Sequence, residues 1–299
     1  MTAQQRTIGS ETVIGFIGTG IMGASMAGHL LRHGFKVLVY NRTKARADGL
    51  LAQGAVWRDT PRQIAEQAGL IITMLGYPSD VEQIYFGEEG LLKHAQPGAY
   101  FLDMTTSSPS LAKRIAAEAA NKGLHVLDAP VSGGDVGARE ARLSIMVGGE
   151  PEAFEAVKPL LERMGTNVVH QGPAGAGQFT KMCNQITIAS NMIGVSEALA
   201  YAKAAGLDQT TVLRSIGSGA AASWSLTNLA PRVIAGDYAP GFYVKHFVKD
   251  IRIALDSAAE LGLALPGLTL AQSLYEQLVD QGGENDGTQA LYRIIAAGV

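Results

Sequence analysis

The sequence predicts an α/β Rossmann-type N-terminal domain, followed by an all-α C-terminal domain that is joined to it by a long interdomain helix. Three observations support this fold class: short apolar runs alternate with helical segments in the first half, strand signals stop near residue 173, and residues 175–206 contain almost no helix breaker. Such alternation is typical of a parallel sheet with helices on both faces. The 299 residues also favour two domains, which we expect at 1–173 and 174–299.

The first half alternates regularly between the two kinds of element. Strands are predicted at 12–17, 37–40, 70–75, 100–103, 125–127 and 143–147. Helices are predicted at 21–33, 44–52, 60–68, 79–86, 109–122 and 151–164. Gly34 follows the first helix and Pro151 opens the last one, and these residue types are favoured at such ends.

Only helices are predicted in the second half. They are expected at 175–206, 208–216, 223–234, 245–261, 268–280 and 287–297. At 1.5 Å per residue the first of them is about 45 Å long. The stretch 220–229 carries no charge, so we expect this domain to bury surface in a homodimer or homotetramer.

Composition excludes several classes of protein. Hydrophobic residues make up 47% and charged residues 17%, which is typical of a globular chain rather than a disordered one. The net charge of −3 argues against nucleic-acid binding, which requires a basic surface. No apolar run approaches the roughly 18 residues of a membrane span. We therefore expect a cytoplasmic protein that binds neither nucleic acid nor membrane.

Metal binding is not expected either. Cys183 is the single cysteine, which excludes a disulfide framework and a zinc site built on paired thiolates. His29 and His33 have a spacing that suits a shared metal ion, but no third ligand is visible nearby, so both are expected on a helix surface. Cys183 lies in an apolar helix and is expected to be a small buried side chain.

A glycine-rich loop stands between the first strand and the first helix. In Gly18-x-Gly20-x-x-Gly23, the first glycine allows a tight turn, the second lets a pyrophosphate approach the backbone, and the third lets the helix pack closely. The helix start supplies free N–H groups and a positive dipole end. We therefore predict a dinucleotide site that also includes Thr19, Ile21 and Met22; a plain strand-turn-helix connection is the alternative.

The end of the second strand indicates which dinucleotide is bound. NAD enzymes usually place an acidic residue there for the ribose 2′-hydroxyl. This chain has Asn41, Arg42 and Thr43 instead. A guanidinium fork and a hydroxyl suit a 2′-phosphate, so NADP(H) is predicted over NAD(H). The alternative is that Arg42 is a solvated loop residue.

Two further segments carry candidate chemistry. Ser132, Gly133 and Gly134 follow a strand and could form a nest of N–H groups for a carboxylate, although Ser-Gly-Gly also occurs in ordinary loops. Lys181 and Asn184 share one face near the start of the long helix. The lysine could donate a proton and the amide could orient a substrate; a solvated surface lysine is the alternative.

Together, the segments 15–23, 128–134 and 175–184 and the pair Lys249-Asp250 resemble the four signatures of the β-hydroxyacid dehydrogenase family. That family includes 3-hydroxyisobutyrate dehydrogenases, 2-hydroxy-3-oxopropionate (tartronate semialdehyde) reductases and glyoxylate/succinic semialdehyde reductases. The resemblance follows nearly the whole chain in the right order.

The resemblance implies a role for each matching residue. Lys181 would be the catalytic proton donor and acceptor, Ser132, Gly133 and Gly134 would hold the substrate carboxylate, and Asn184 would bind the substrate near the reacting centre. Positions expected to contact the cofactor are Thr106 and Lys249 at its nicotinamide end and Leu75 and Gly76 along its length. Phe242 and Asp250 would line the substrate cleft. Ala141 and Arg142 depart from the Gly and Thr often found in the family, so the resemblance does not predict the edge of the substrate pocket.

These residues predict an NADP(H)-dependent oxidoreductase of the CH–OH class, which interconverts a short carboxylated aldehyde and its hydroxyacid. An imine reductase-like enzyme is an alternative, but such enzymes usually lack the lysine. A decarboxylating 6-phosphogluconate dehydrogenase is disfavoured by the short C-terminal domain and by Asn184-Gln185, where that enzyme has a His-Asn pair. A non-catalytic NADP-binding module is the third alternative. The sequence leaves the exact substrate, the direction and the oligomer number open.

Overall fold

The structure is a computed structural model that describes residues 8–9 and 11–298. The chain divides into two compact units, one ending at Lys181 and one beginning at Met182. The predicted fold class is confirmed, since a Rossmann-type sheet is followed by helices alone. The domain boundary near residue 173 stays a prediction.

The N-terminal unit contains one sheet. In the described part of the chain its strands are β1 Ile14–Ile17, β2 Val37–Tyr40, β3 Val56–Trp57, β4 Leu70–Thr73, β5 Tyr100–Asp103, β6 His125–Asp128, β7 Val131–Ser132, β8 Leu143–Gly148 and β9 Gly165–Gly172. They are ordered β3-β2-β1-β4-β5-β6-β8-β7, and β9 pairs with β8. All pairs among β1–β6 are parallel.

The sheet also contains antiparallel pairs at one edge, which the sequence patterns did not indicate. β8 runs antiparallel to β6 and β7 and parallel to β9. Strands β3, β7 and β9 were also missed by the sequence patterns. Two of them have only two residues each, and β9 is largely exposed or half-buried, so none gives the continuous apolar run of a buried strand.

Helices alternate with the strands of the N-terminal unit, and the C-terminal unit is built from helices. Their bounds are α1 Ile21–Arg32, α2 Asp48–Leu51, α3 Pro61–Ala65, α4 Pro78–Phe86, α5 Leu91–His94, α6 Pro109–Ala120, α7 Gly134–Arg139, α8 Pro151–Leu161, α9 Ala176–Ala204, α10 Gln209–Ile216, α11 Trp224–Asn228, α12 Ala230–Ile234, α13 Val244–Glu260, α14 Pro266–Asp280 and α15 Tyr292–Ile295. Short 3-10 helices precede α2 and α15, at Lys44–Ala47 and Thr288–Leu291.

Three predicted helices are divided in the structure. The segments expected at 44–52 and 287–297 each begin with a 3-10 turn. The segment expected at 223–234 breaks at Leu229, two residues before Pro231, which has no N–H to continue the helical hydrogen bonds. The short helices α5 and α7 were not predicted, because four and six residues are too few to show a helical period.

The core of the N-terminal unit explains why its strands are apolar throughout. All residues of β1, β4 and β5 are buried. Successive side chains on a strand point to opposite faces, so Ile72 and Leu102 join the core on one side while Ile71 and Phe101 join the core on the other. Both faces are therefore covered, and polar chemistry is left to the carboxyl ends of the strands.

The C-terminal unit has its own core between α13 and α14. The ring of Phe247 meets that of Tyr275 edge-on, with centroids 5.0 Å apart. The hydroxyl of Tyr275 donates to the carbonyl of Thr288 at 2.9 Å. Burial raises the pKa of the Tyr275 phenol far above its ordinary value. Among the helices that the structure describes, none combines the length and apolarity needed to cross a membrane.

Candidate active site

The three glycines of the loop have different surroundings. Gly18 has a φ of +98°, and a Cβ there would lie 2.1 Å from the carbonyl oxygen of Met74. A Cβ on Gly23 would lie 1.9 Å from the carbonyl oxygen of Gly18. A Cβ on Gly20 would meet nothing within 4 Å. Gly18 and Gly23 are thus required by packing, whereas Gly20 leaves open space at the start of α1.

The start of α1 fits an anionic ligand such as the phosphates of a dinucleotide. It has no side-chain cap and no acidic residue in its first turn, whereas Thr60 and Ser108 cap α3 and α6. Its first N–H groups therefore remain available at the positive end of the helix dipole. The Thr19 hydroxyl is buried without a hydrogen-bond partner among the described residues. In the first turn, Ile21 is exposed and Met22 is half-buried.

The end of β2 is tied to this loop. Asn41 accepts a hydrogen bond from the Thr19 N–H at 3.1 Å through Oδ1 and donates to the carbonyl of Thr43 at 2.9 Å through Nδ2. Thr43 is exposed, and the Arg42 side chain is 88% exposed. Nη1 of Arg42 lies 3.6 Å from Oδ1 of Asp80, a neighbour that the sequence did not indicate. Arg42 is accordingly available to a ligand near this loop.

The segments after β4 and β5 contact each other. The N–H of Leu75 donates to the hydroxyl of Thr105 at 2.9 Å. Gly76 lies beside Asp80, since a Cβ on it would stand 3.4 Å from Oδ2 of that residue. Thr106 is half-buried in the loop that follows β5. The predicted residues Leu75, Gly76 and Thr106 therefore lie on adjoining loops at one edge of the sheet.

Two carboxylates that the sequence analysis gave no role lie buried at this edge. Asp103 and Asp128 are register partners at the ends of β5 and β6. Burial raises the pKa of the Asp103 carboxyl to about 6, against the hydrogen bonds that it accepts from Thr105 and Thr73. Burial likewise raises the pKa of the Asp128 carboxyl to about 6, against several backbone donors.

Asp103→Asn is expected to change the pH dependence of stability. The folded-state pKa is above the unfolded value, so the protonated carboxyl stabilises the fold below about pH 4, and this contribution is lost as pH rises through about 6. Asparagine keeps the acceptor oxygen and does not titrate. Between those two pH values, the free energy of unfolding of wild type should fall by about 2–3 kcal/mol relative to that of the variant, because each pKa unit corresponds to about 1.4 kcal/mol.

Urea unfolding at a series of pH values measures this difference. Glu152→Gln, a change at an exposed residue, is the control, and its curve should follow wild type. Parallel curves for wild type and Asp103→Asn would contradict the shifted pKa.

Asp128 holds the beginning of α9. Its Oδ1 accepts the N–H of Gly175 at 2.7 Å and its Oδ2 accepts the N–H of Gln178 at 2.8 Å. The fully buried Gln178 side chain in turn accepts the N–H of Ser107 at 2.9 Å and donates to the carbonyl of Thr105 at 2.7 Å. Gln178 therefore fixes the loop that carries Thr106.

Close backbone packing surrounds Asp128. A Cβ on Gly148 would lie 2.5 Å from its Oδ1, and a Cβ on Gly177 would lie 2.6 Å from its carbonyl oxygen. Asp128 begins the segment 128–134 and Gln178 lies in the segment 175–184, but the sequence patterns indicated no function for either residue. Gly148 and Gly177 were the sequence features that could have indicated close packing around Asp128.

The Ser-Gly-Gly segment forms a turn between β7 and α7. Ser132 is half-buried, while Gly133 and Gly134 have φ angles of +133° and +63°, a conformation that favours glycine. Ala141, which departs from the family pattern, also has a positive φ of +53°. At that position a glycine would adopt the backbone conformation without strain.

His29 is buried, which corrects its expected place on the helix surface. Nε2 lies 2.9 Å from the carbonyl of Ala138, and Nη2 of Arg32 lies 2.8 Å from Nδ1. Since arginine can only donate, the ring proton belongs on Nε2 and bonds to Ala138. His29 thus connects α1 to α7. No cluster of three or more metal-ligating side chains occurs in the described residues.

Lys181 lies on α9 and is 6% exposed. This burial disagrees with the alternative of a solvated surface lysine. Cys183, which was expected to be buried, is exposed. Two positions correspond to about 200° around a helix, so Cys183 points away from the face that carries Lys181.

The remaining predicted residues belong to the C-terminal unit. Asn184 is half-buried and donates through Nδ2 to Oε1 of Gln185 at 2.7 Å. Lys249 lies 2.9 Å from Oδ1 of the buried Asp250. Phe242 is 37% exposed and meets Phe247 at a centroid distance of 5.9 Å. Asn184, Asp250 and Lys249 thus belong to one polar group, which also includes Gln185.

Two family models match this chain. A family model described as the NAD binding domain of 6-phosphogluconate dehydrogenase matches residues 13–172. A second, described as NAD-binding of NADP-dependent 3-hydroxyisobutyrate dehydrogenase, matches residues 175–295. The chain is 59% identical over 284 residues to the uncharacterized oxidoreductase YkwC of Bacillus subtilis, covering 95% of this chain and 99% of that protein.

Two named relatives indicate the kind of chemistry. The 2-hydroxy-3-oxopropionate reductase of Escherichia coli is 41% identical over 282 residues, covering 94% of this chain and 96% of that protein. A solved structure of Mycobacterium tuberculosis 3-hydroxyisobutyrate dehydrogenase with L-serine has a TM-score of 0.88 at 30% identity, covering 96% and 99% of the two chains. The chain therefore belongs to the β-hydroxyacid dehydrogenase family of NAD(P)-dependent oxidoreductases.

Proposed function

We propose that this protein is an NADP(H)-dependent enzyme that interconverts a short carboxylated aldehyde and its hydroxyacid, with Lys181 as the proton donor and acceptor. The observation that carries the proposal is the burial of Lys181 in the second turn of α9, whose first turn is held by Asp128. Reduction of a carbonyl builds negative charge on oxygen, and an ammonium held beside that oxygen stabilises the developing charge. Lys181 stabilises that charge and then gives its proton to the oxygen.

The other residues bind and orient the reactants. The bound nicotinamide supplies or accepts the hydride. Ser132, Gly133 and Gly134 hold the substrate carboxylate, because consecutive N–H groups in a glycine turn suit an anion. Asn184 hydrogen-bonds the substrate near the reacting carbon, and Phe242 and Asp250 line its cleft. The cofactor contacts that we propose are Gly18, Thr19, Gly20, Ile21, Met22, Gly23, Asn41, Arg42, Thr43, Leu75, Gly76, Thr106 and Lys249.

A panel of aldehydes tests this function. Purified protein is mixed with NADPH or NADH and with glyoxylate, succinate semialdehyde, tartronate semialdehyde or methylmalonate semialdehyde, and cofactor oxidation is followed by absorbance. Rapid oxidation with one of them is the expected result and identifies the substrate. The absence of turnover with all four and with both cofactors would contradict the proposed chemistry.

Arg42→Ala is expected to weaken use of NADPH selectively. The Arg42 guanidinium is exposed and its contact with Asp80 is long, at 3.6 Å, so it can turn to a 2′-phosphate at little cost. Loss of a charge-assisted hydrogen bond should lower kcat/KM for NADPH by about tenfold or more, while the value for NADH changes less than about threefold. Arg46→Ala, at an exposed arginine nearby, is the control. A wild-type preference for NADH would overturn the proposed specificity.

We also propose that the protein assembles as a homodimer or homotetramer. The uncharged stretch 220–229 includes Trp224, whose side chain is 68% exposed in the single chain. A large exposed indole is favourably buried by association. Light scattering should give the mass of a dimer or a tetramer, and the mass of a monomer would contradict this.

A further inference from the structure

Four polar side chains of the C-terminal unit form a continuous chain of contacts. Nδ2 of Asn184 donates to Oε1 of Gln185 at 2.7 Å, and Nε2 of Gln185 donates to Oδ2 of Asp250 at 2.5 Å. Nζ of Lys249 lies 2.9 Å from the other carboxylate oxygen of Asp250. Gln185 and Asp250 are each 1% exposed, whereas Asn184 is half-buried. The chain thus leads from a buried ion pair to a partly accessible amide.

The hydrogen bonds from Asn184 through Gln185 to Asp250 can run in only one donor-to-acceptor direction. Asp250 forms an ion pair with Lys249, and the carboxylate of an ion pair only accepts hydrogen bonds. Gln185 must therefore turn its NH2 group to Asp250 and its oxygen to Asn184. Asn184 must in turn present its nitrogen to Gln185, which directs Oδ1 away from Gln185. An asparagine without this contact could rotate by 180° and exchange its donor and acceptor ends.

We propose that Gln185 is a positioning residue that holds the Asn184 amide so that its Oδ1 accepts a hydrogen bond from a hydroxyl of the hydroxyacid. This inference rests on the proposed function, in which Asn184 binds the substrate. Gln185 does not touch the substrate itself. It transmits the fixed polarity of the Lys249–Asp250 pair to the neighbouring side chain.

The first test replaces Gln185 with methionine, which has a similar volume and can make neither hydrogen bond. The oxidation of 3-hydroxyisobutyrate and of glycerate is measured with NADP⁺. The KM of the hydroxyacid should rise about 5- to 10-fold, which is the scale of one hydrogen bond. The KM of NADP⁺ should stay close to that of wild type, whereas the Tm should fall because the buried Asp250 carboxylate loses a hydrogen-bond donor. An unchanged KM for the hydroxyacid would overturn the proposal.

A matched control and a second variant make the result specific. Ser196→Ala changes another fully buried polar residue of α9 whose hydroxyl has no hydrogen-bond partner among the described residues, so its kinetics should match wild type. Gln185→Glu keeps the shape of the side chain but, when ionised, cannot donate to Asp250 and repels it. It should raise the same KM, which keeps the test valid if the methionine variant folds poorly.

A double-mutant cycle separates positioning from direct binding. If Gln185 acts through Asn184, adding Gln185→Met to Asn184→Ala should change kcat/KM by less than about twofold, because the oriented group is already absent. Effects that multiply would overturn the positioning role. A wild-type enzyme inactive with every hydroxyacid would instead overturn the proposed function, whereas an active wild type with an unaffected Gln185→Met variant overturns only this inference.

Discussion

Replacing Lys181 with alanine is expected to lower kcat by about 100-fold or more, the usual scale for loss of a general acid. The reason is that no proton would be delivered to the carbonyl oxygen when hydride reaches the carbon. The dissociation constant of NADPH, measured by fluorescence titration, should change little, because the proposed cofactor contacts are made by other residues. The loss should therefore appear in kcat rather than in cofactor binding.

Lys203→Ala is the matched control for this prediction. Lys203 is on the same helix α9, but it is exposed near the other end. This variant should retain the kcat of wild type. Near-normal turnover by Lys181→Ala would show that another group, or water, supplies the proton, and it would remove the central claim of the proposed mechanism.

Gly23→Ala should destabilise the protein strongly. Its Cβ would lie 1.9 Å from the carbonyl oxygen of Gly18, and both atoms belong to the backbone or are fixed to it, so neither can move aside. We expect a loss of about 3 kcal/mol or more, which corresponds to a fall in Tm of about 6–12 °C for a domain of this size. Differential scanning calorimetry measures the change directly.

Gly20→Ala should leave the stability almost unchanged but weaken NADPH binding. Its Cβ enters open space and its φ of −72° suits alanine, so the Tm should stay within about 2 °C of wild type. The methyl group nevertheless occupies the approach to the start of α1, so NADPH should bind about tenfold or more weakly, since a backbone contact to phosphate is displaced. Gly49→Ala, in α2 and also without a neighbour within 4 Å, is the control for both variants. Equal effects of Gly20→Ala and Gly49→Ala on NADPH binding would contradict a cofactor site at this loop.

The order of the elements in the first half was predictable because it depends on local patterns. Apolar runs mark strands that are buried on both faces, and the glycine loop has a fixed spacing between a strand and a helix. The antiparallel placement of β8 was not predictable in this way. A short, mostly apolar run gives the same signal whichever direction its neighbour takes, so pairing across the sheet cannot be deduced from the run itself.

The candidate site was predictable to the extent that its residues lie in contiguous motifs. Gln185 and Asp250 are 65 positions apart, and Gln178 and Ser107 are 71 apart, so neither hydrogen bond leaves a local pattern. Arg42 and Thr43 could be named because they lie within three residues of the end of β2. Gln178 could not be named, because its hydrogen bonds to the loop after β5 depend on where that loop lies in the fold.

The strand order has a consequence for how the sheet folds while the chain is being synthesised. β2 and β3 extend the sheet on one side of β1, and β4, β5 and β6 are then added on the other side, each beside the strand already in place. Parallel strands far apart in sequence normally pair slowly, but here each addition joins an edge that has already left the ribosome. The glycine loop and the sheet edge beside it can therefore form during translation, before Lys181 has been incorporated into the chain.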